Sequence, residues 1–401
     1  MLFKMRILKR ILFVYHVSAV GGGSYCLLNL LKAIDRTAFE PVVLLPQRGP
    51  LCDEIGKLGI EIVYYPPLVL YPYNHSLWSV KTFRTLMRVE HCQKGFADVL
   101  KHVTPDIVYM NTMMLFPYLR TAKEQGCKTV LHVREHWPLN EHKRQLNRAR
   151  MLVYKYADKL IAINRYSASI FPKKEATIVY DWIDMNSRYK PMPMSDIFGE
   201  DIQNKKVFLF TGGMDYIKGG IHVAKVFINY LNNPNYRLLM LGVDSEIRYD
   251  GIFGVIRRLL ASIGIEMRSD QLKKIVKKDS RIVCCPRIYE LSHIVQQSYC
   301  VLSFFTIPHA NLGLAESLIL GTPVIAAKTE ESVEYSMNVI PELLFSINDE
   351  ESFVNSINQL LFNYTIFKNR IDSNKGRISV LFENKSNEER INKILFELYK
   401  S

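Results

Sequence analysis

The chain has no Asp-x-Asp pair, the carboxylate arrangement that holds a divalent cation on a diphosphate, and no histidine or cysteine grouping with zinc spacing. No metal ligand is therefore expected. The seven cysteines are odd in number, with Cys284 and Cys285 adjacent and no Cys-x-x-Cys, which argues against a disulfide framework and for free, mostly buried thiols in a reducing cytoplasm. No apolar run is long enough to span a bilayer. The N-terminal segment places Lys4, Arg6, Lys9 and Arg10 around and before Ile11-Leu12-Phe13-Val14-Tyr15, as a signal peptide would. Its apolar stretch is too short for one and leads straight into Gly21-Gly22-Gly23, so it reads as a first β-strand. Repeats of solenoid period and low-complexity tracts are also missing.

What is present suits two domains. Hydrophobic residues make up 48% of 401 positions, enough for two sizeable cores. The net charge of +13 admits nucleic acid, anionic membrane or phosphorylated substrate as partner. No nucleic-acid module accompanies that charge, and the basic residues do not interleave with aromatics, so no nucleic acid is expected. Strand patterns at Ile11–Tyr15, Pro41–Leu45, Ile60–Tyr64, Ile107–Met110, Thr129–His132 and Lys159–Ile163 are joined by helical patterns that include Ser24–Ile34 and Leu51–Leu58. A second series runs through Val207–Phe210, Arg237–Leu241, Arg281–Cys284, Cys300–Phe304 and Pro323–Ala327. This alternation predicts an α/β protein with doubly wound parallel sheets and ligands at the carboxyl ends of the strands. The expected boundaries are a first domain over 1–184, a polar, proline-containing linker over 185–206, a second domain over 207–386 and a helical segment over 387–401.

Two segments carry most of the functional signal. Thr211-Gly212-Gly213-Met214-Asp215-Tyr216-Ile217-Lys218-Gly219 follows an apolar strand and opens a helical pattern, giving strand, glycine turn and helix N-terminus with a lysine beside it. That is an anion site, because free N–H groups and the helix dipole attract negative charge. Lys218 stands where the dipole opposes it, which an anion between them explains; a solvated first-turn lysine is the plain alternative. Asn311-Leu312-Gly313-Leu314-Ala315-Glu316-Ser317-Leu318 places Glu316 in the first turn of a helix ending at Gly321, where a carboxylate can accept hydrogen bonds from sugar or ribose hydroxyls. Leu312, Gly313 and Leu314 could offer N–H groups to phosphates, or Gly313 could be the turn before the helix.

Three further stretches are weaker. Gly21-Gly22-Gly23-Ser24 lets the backbone approach a ligand, although many α/β proteins need such a turn simply to reverse direction. His132 begins His132-Val133-Arg134-Glu135-His136 at a strand's carboxyl end, where clustered ionisable groups favour a site. Arg134, Glu135 and His136 are acceptor-side candidates, with a surface ion pair as the other reading. Tyr71-Pro72-Tyr73-Asn74-His75 precedes a helical pattern over Leu77–Val103 containing Trp78, Phe83, Leu86, Met87 and several basic residues. This is either a core-facing helix with a solvated basic side or a face resting on anionic lipid.

With these residues in hand, the chain resembles the family 4 glycosyltransferases of the GT-B fold, which have two Rossmann-like domains facing a cleft. Gly212, Lys218 and Gly219 match the family's Gly-Arg-x-x-x-x-Lys-Gly segment, with Gly213 at the arginine position. Glu316 matches the second glutamate of its Glu-x7-Glu segment; Pro308 stands at the first, and His309 is the nearest polar residue. Gly22 and Gly23 match a Gly-Gly turn that faces the donor, and His132 matches a histidine near the transferred sugar. Asp181-Trp182-Ile183-Asp184 resembles a turn before the linker, with a structural, hinge-side role. The resemblance implies retaining, metal-independent transfer from a nucleoside-diphosphate sugar to a glycan or lipid-linked acceptor in surface polysaccharide biosynthesis. It makes His132, Lys218 and Glu316 catalytic. It makes Gly22, Gly23, Gly212, Gly213, Lys218, His309, Leu312, Gly313, Leu314 and Glu316 donor-binding, with no cofactor. It also implies a cytoplasmic protein whose terminal helix returns to the first domain, with peripheral contact at the inner face of an anionic membrane left open. A non-catalytic nucleotide-sugar-binding protein, a GT-B sugar-nucleotide epimerase and, last, a Rossmann dehydrogenase remain as rivals.

Overall fold

Burial along β1 (Lys9–Val14) shows how the sequence builds the first sheet. Ile11, Leu12, Phe13 and Val14 are all fully buried, as a parallel strand covered by helices on both faces requires. Their side chains alternate between two cores, Leu12 and Val14 on one face and Ile11 and Phe13 on the other, which is the period of two of a strand. The computed structural model describes residues 8–65, 68–71, 80–183, 193–244, 246, 267–286, 288 and 291–400. Lys4, Arg6, Pro72 to His75, Leu77, Trp78, Asp184 and the first part of the linker segment lie outside the described residues.

The chain divides into two compact units, one comprising Met1–Asp184 with Phe382–Ser401 and the other Met185–Leu381. In the first unit β1 is joined by β2 (Phe39–Leu45), β3 (Glu61–Tyr64), β4 (Ile107–Met110), β5 (Lys128–Val133), β6 (Lys159–Ala162) and β7 (Ala176–Ile178). All pair in parallel in the order β3-β2-β1-β4-β5-β6-β7. The helices Val80–Val103 and Lys143–Tyr156 cover one face through Val89, Phe96, Leu146 and Val153. The helices Gly22–Ala33 and Asn384–Lys400 cover the other through Leu27, Leu31, Ile391 and Leu395. The second of these is also held by polar contacts: Asn392 Nδ2 donates to the Ala33 carbonyl at 2.7 Å, and the Tyr180 N–H donates to Asn387 Oδ1 at 3.1 Å.

The second unit repeats the plan with β8 (Lys206–Phe210), β9 (Tyr236–Leu241), β10 (Ile282–Cys285), β11 (Cys300–Ser303), β12 (Val324–Ala327) and β13 (Leu344–Phe345). Their order is β10-β9-β8-β11-β12-β13, again parallel. Both sheets are doubly wound, so each has one point where the chain leaves in one direction and returns on the other side. These switch points lie between β1 and β4 and between β8 and β11, and the crevice at the carboxyl ends there is where such sheets bind ligands.

Because Ile391 is fully buried against the first sheet, Ile391→Ala should lower the stability of that unit by about 2–5 kcal/mol. The urea midpoint of its unfolding transition checks this, and an unshifted midpoint would mean that the helix contributes nothing to the core.

Candidate functional site

In the second unit the chain leaves β8 at Phe210 and turns through Gly213 at φ +63° into a 3-10 turn, Tyr216–Lys218. Asp215 caps that turn by accepting from the Ile217 N–H at 3.1 Å, and the helix Gly220–Tyr230 follows. Gly219, at φ +74°, is the N-cap, and a Cβ there would collide with the Phe304 carbonyl just after β11. A Cβ at Gly212 would collide with the Phe210 ring and with Lys218 Cβ. The Thr306 N–H donates to the Ile217 carbonyl at 2.9 Å, so the turn after β8 and the loop after β11 form one wall at the switch point.

Lys218 therefore precedes the helix instead of occupying its first turn, and it is half-buried instead of solvated. Its ammonium lies 4.1 Å from the centre of the Phe305 ring. His309 packs near the same ring, with centroids 5.3 Å apart. Phe305 thus links the two residues, a role the sequence does not signal because loop aromatics follow no period. In the first turn of the helix Gly220–Tyr230, the N–H groups of Gly220, Ile221 and His222 find no protein partner among the described residues.

Asn311 organises the second segment. Its Oδ1 accepts from the Leu314 N–H at 3.2 Å and its Nδ2 donates to Ser303 Oγ at 2.9 Å, starting the helix Leu312–Ile319 at the end of β11. This cap takes the Leu314 N–H away from any phosphate, a correction to its expected role. The N–H groups of Leu312 and Gly313 find no protein partner among the described residues. The cap also corrects the position of Glu316, which falls in the second turn and not the first. There it shares a helix face with Leu312 and Gly313. Its side chain is half-buried, with no hydrogen bond or ion pair among the described residues, and burial pushes its carboxyl up to about 7. Such a carboxyl is suited to hydroxyl groups supplied by a ligand.

The first unit collects its candidates at the carboxyl ends of β1, β4 and β5. Gly22 and Gly23 open the helix Gly22–Ala33, and their N–H groups also find no protein partner among the described residues. A Cβ on Gly23 would come within 2.9 Å of Tyr15 Oη. His132 is fully buried near the end of β5, its Nδ1 2.8 Å from Tyr109 Oη and 3.3 Å from Arg134 Nη2. A guanidinium can only donate, so Nδ1 accepts and the ring proton sits on Nε2, which is buried with no partner among the described residues. Burial and the Arg134 charge hold the ring well below the usual histidine range. It is a neutral donor.

Arg134 and Glu135 do not form a surface ion pair. Burial works against the Arg134 charge, but Asp181, together with Cys26 and Tyr109, raises the guanidinium above its usual value. Arg134 also donates to Asn111 Oδ1 at 3.1 Å. The Glu135 carboxyl accepts from Thr112 Oγ1, from the Met113 N–H at 2.9 Å and from the Arg134 N–H at 3.1 Å. Burial raises its pKa while these donors oppose the shift. His136 is buried and stacks on Tyr166 with ring centroids 4.1 Å apart. Among the described residues there is no group of three or more His, Cys, Asp or Glu side chains able to hold a metal.

Residues 21–174, which contain the first of these constellations, match a family model described as a glycosyl transferase 4-like domain. The chain as a whole is similar to HepE from Anabaena in complex with UDP-glucose, with a TM-score of 0.71 and 16% identity over 97% of this chain and 99% of that one. It is also similar to a glycosyltransferase from Rickettsia africae, at 0.68 and 15% over 98% and 100%. A third likeness is to sucrose-phosphate synthase from Thermosynechococcus elongatus, at 0.68 and 14% over 98% and 99%. No curated protein matches the chain. Likenesses at these identities establish the GT-B fold, and with the glycosyl transferase 4-like domain they support a family 4-like glycosyltransferase.

The raised carboxyl of Glu316 has a consequence for pH. A group whose folded value of about 7 exceeds its ordinary 4.5 binds more protons when folded, so stability is full below 4.5 and declines as pH rises through about 7. Thermal midpoints of the wild type should fall across that window, and Glu316→Gln should remove that part of the slope. Equal slopes in both proteins would show that the carboxyl is hydrated.

Proposed function

We propose that the protein moves a sugar from a nucleoside-diphosphate sugar to a glycan or lipid-linked acceptor, with retention and without a metal, in cytoplasmic assembly of a surface polysaccharide. The observation that carries this reading is the clamp of Gly219 under Phe304, which sets Lys218 and an open helix N-terminus beside the loop that leads to Glu316. Lys218 and the N–H groups of Gly220, Ile221 and His222 stabilise the departing diphosphate, and those of Leu312 and Gly313 supplement them. Glu316 accepts hydrogen bonds from donor hydroxyls. In the first unit Gly22 and Gly23 offer backbone N–H groups, and His132 offers its Nε2 proton to a sugar hydroxyl. Retention rests on the family resemblance, with the acceptor attacking from the leaving-group face and the donor phosphate taking its proton.

Uridine-diphosphate sugars are the first donors to test, because HepE is seen with UDP-glucose. A second reading, a nucleotide-sugar-binding protein without turnover, is favoured by Gly213 and Pro308 at the positions where the family has arginine and glutamate. A screen of nucleotide sugars for thermal stabilisation and hydrolysis separates the two. Donor-dependent turnover supports the transferase, whereas tight binding with no turnover even with acceptor extracts supports the second reading.

Lys218→Ala should leave the fold intact and lower turnover about 10²–10³-fold, the usual cost of removing one group opposite a developing negative charge. Near-normal turnover at saturating donor would remove Lys218 from the mechanism. Since no Asp-x-Asp pair is available, rates should also be unchanged in excess chelator, and metal-dependent turnover would contradict the role given to these positive groups.

A further inference from the structure

The helices Val80–Val103 and Lys143–Tyr156 bury one side against the first sheet and leave the other to solvent. On the outer side of the longer helix, Val80, Phe83 and Met87 recur at helical spacing and are 70%, 62% and 59% exposed. Met151 on the neighbouring helix is 62% exposed. Arg148 reaches Glu90 at 3.9 Å, so the two outer faces adjoin. Arg84 and Arg88 flank Phe83 and Met87, while Arg144, Arg148 and Lys155 surround Met151 at helical spacings of three, four and seven. All five are exposed, and Arg84, Arg88 and Arg144 have no acidic partner among the described residues.

Apolar side chains standing among unpaired cations discriminate between occupants. A second copy meeting this face would set arginines against arginines. A purely acidic partner would match the charges but leave Phe83 and Met87 without an apolar environment. An anionic bilayer satisfies both, with lipid phosphates for the arginines and the interface for the apolar side chains.

We propose that this face docks on an anionic lipid bilayer, with Phe83 and Met87 entering the interface and Arg84, Arg88 and Arg144 pairing with lipid phosphates. The topology places the docking helix usefully. Its C-terminal end feeds the start of β4, so its first turns point toward the carboxyl edge of the sheet, the edge that carries His132. The Tyr71 N–H, a few residues before the helix, donates to the Met114 carbonyl just past β4 at 3.0 Å. A lipid-linked acceptor would thus be presented at the edge where the first unit's candidate residues lie. That corollary rests on the proposed function, whereas the docking itself does not, because lipid binding is measured without donor or acceptor.

The test is flotation of the full chain with phosphatidylcholine vesicles and with equimolar phosphatidylcholine and phosphatidylglycerol vesicles. Wild type should float only with the anionic vesicles. Each charge removed should lower the partition coefficient about fivefold, so the triple variant Arg84→Gln, Arg88→Gln, Arg144→Gln should lose roughly a hundredfold. Phe83→Ser with Met87→Ser should also weaken binding, with unchanged thermal midpoints showing that these exposed positions leave the fold intact. The proposal is overturned if wild type ignores anionic vesicles, if it binds neutral ones equally, or if folded variants bind as well as wild type. It is also overturned if sedimentation shows a wild-type dimer that Phe83→Ser dissociates, since the occupant would then be a second copy.

Discussion

The close approach of the Gly219 backbone to the Phe304 carbonyl is the constraint on which the second unit's site depends. A residue with a Cβ could not sit there, and the left-handed φ of +74° independently favours glycine. Removing that contact would separate the turn after β8 from the loop after β11. The hydrogen bond from Thr306 to the Ile217 carbonyl would then be lost, together with the position of Lys218 over Phe305. The second loop is carried onward by Asn348, whose Nδ2 donates to the Thr306 carbonyl at 2.9 Å, and by the Asn311 cap. Positive groups, and a carboxyl that has no hydrogen bond or ion pair among the described residues, are therefore held by backbone packing, which reorganises little when a charged ligand arrives.

The first unit relies on a buried charge instead. Arg134 lies inside the carboxyl edge of the sheet and is tolerated there because Asp181 and Asn111 meet its guanidinium. Loss of Asp181 would leave an uncompensated buried cation, typically worth about 3–5 kcal/mol. The same guanidinium sets the tautomer of His132, and burial together with its charge keeps the ring neutral. His132 is thereby equipped to donate a hydrogen bond and not to carry off a proton. Glu135, accepting from three donors, fixes the start of the 3-10 helix Met113–Tyr118.

Much of the fold could be read because apolar runs buried on both faces leave a strong signal. Ile107–Met110 was legible to the residue, and most other strands to within two. The strands β7 and β13 were not, since three and two residues at sheet edges produce no pattern that stands out from a loop. The glycine turns and Lys218 were visible because their spacing is local. The sequence places Glu316 in the first turn of its helix, with Gly313 as the turn before it, whereas the side chain of Asn311 caps a helix that starts at Leu312 and leaves Glu316 in the second turn. Phe305 and the pairing of Arg134 with Asp181 had no sequence signal, because each depends on segments that only the sheet topology brings together.

The proposed function makes the β8–β11 switch point a donor-diphosphate site. A crystal structure of the protein with a bound nucleoside-diphosphate sugar tests it most directly. The diphosphate is expected against the Gly219–Gly220 turn, with Lys218 in contact and a ligand hydroxyl within hydrogen-bond distance of the Glu316 carboxyl. A diphosphate bound elsewhere, with the Glu316 carboxyl still without a ligand hydroxyl, would contradict it.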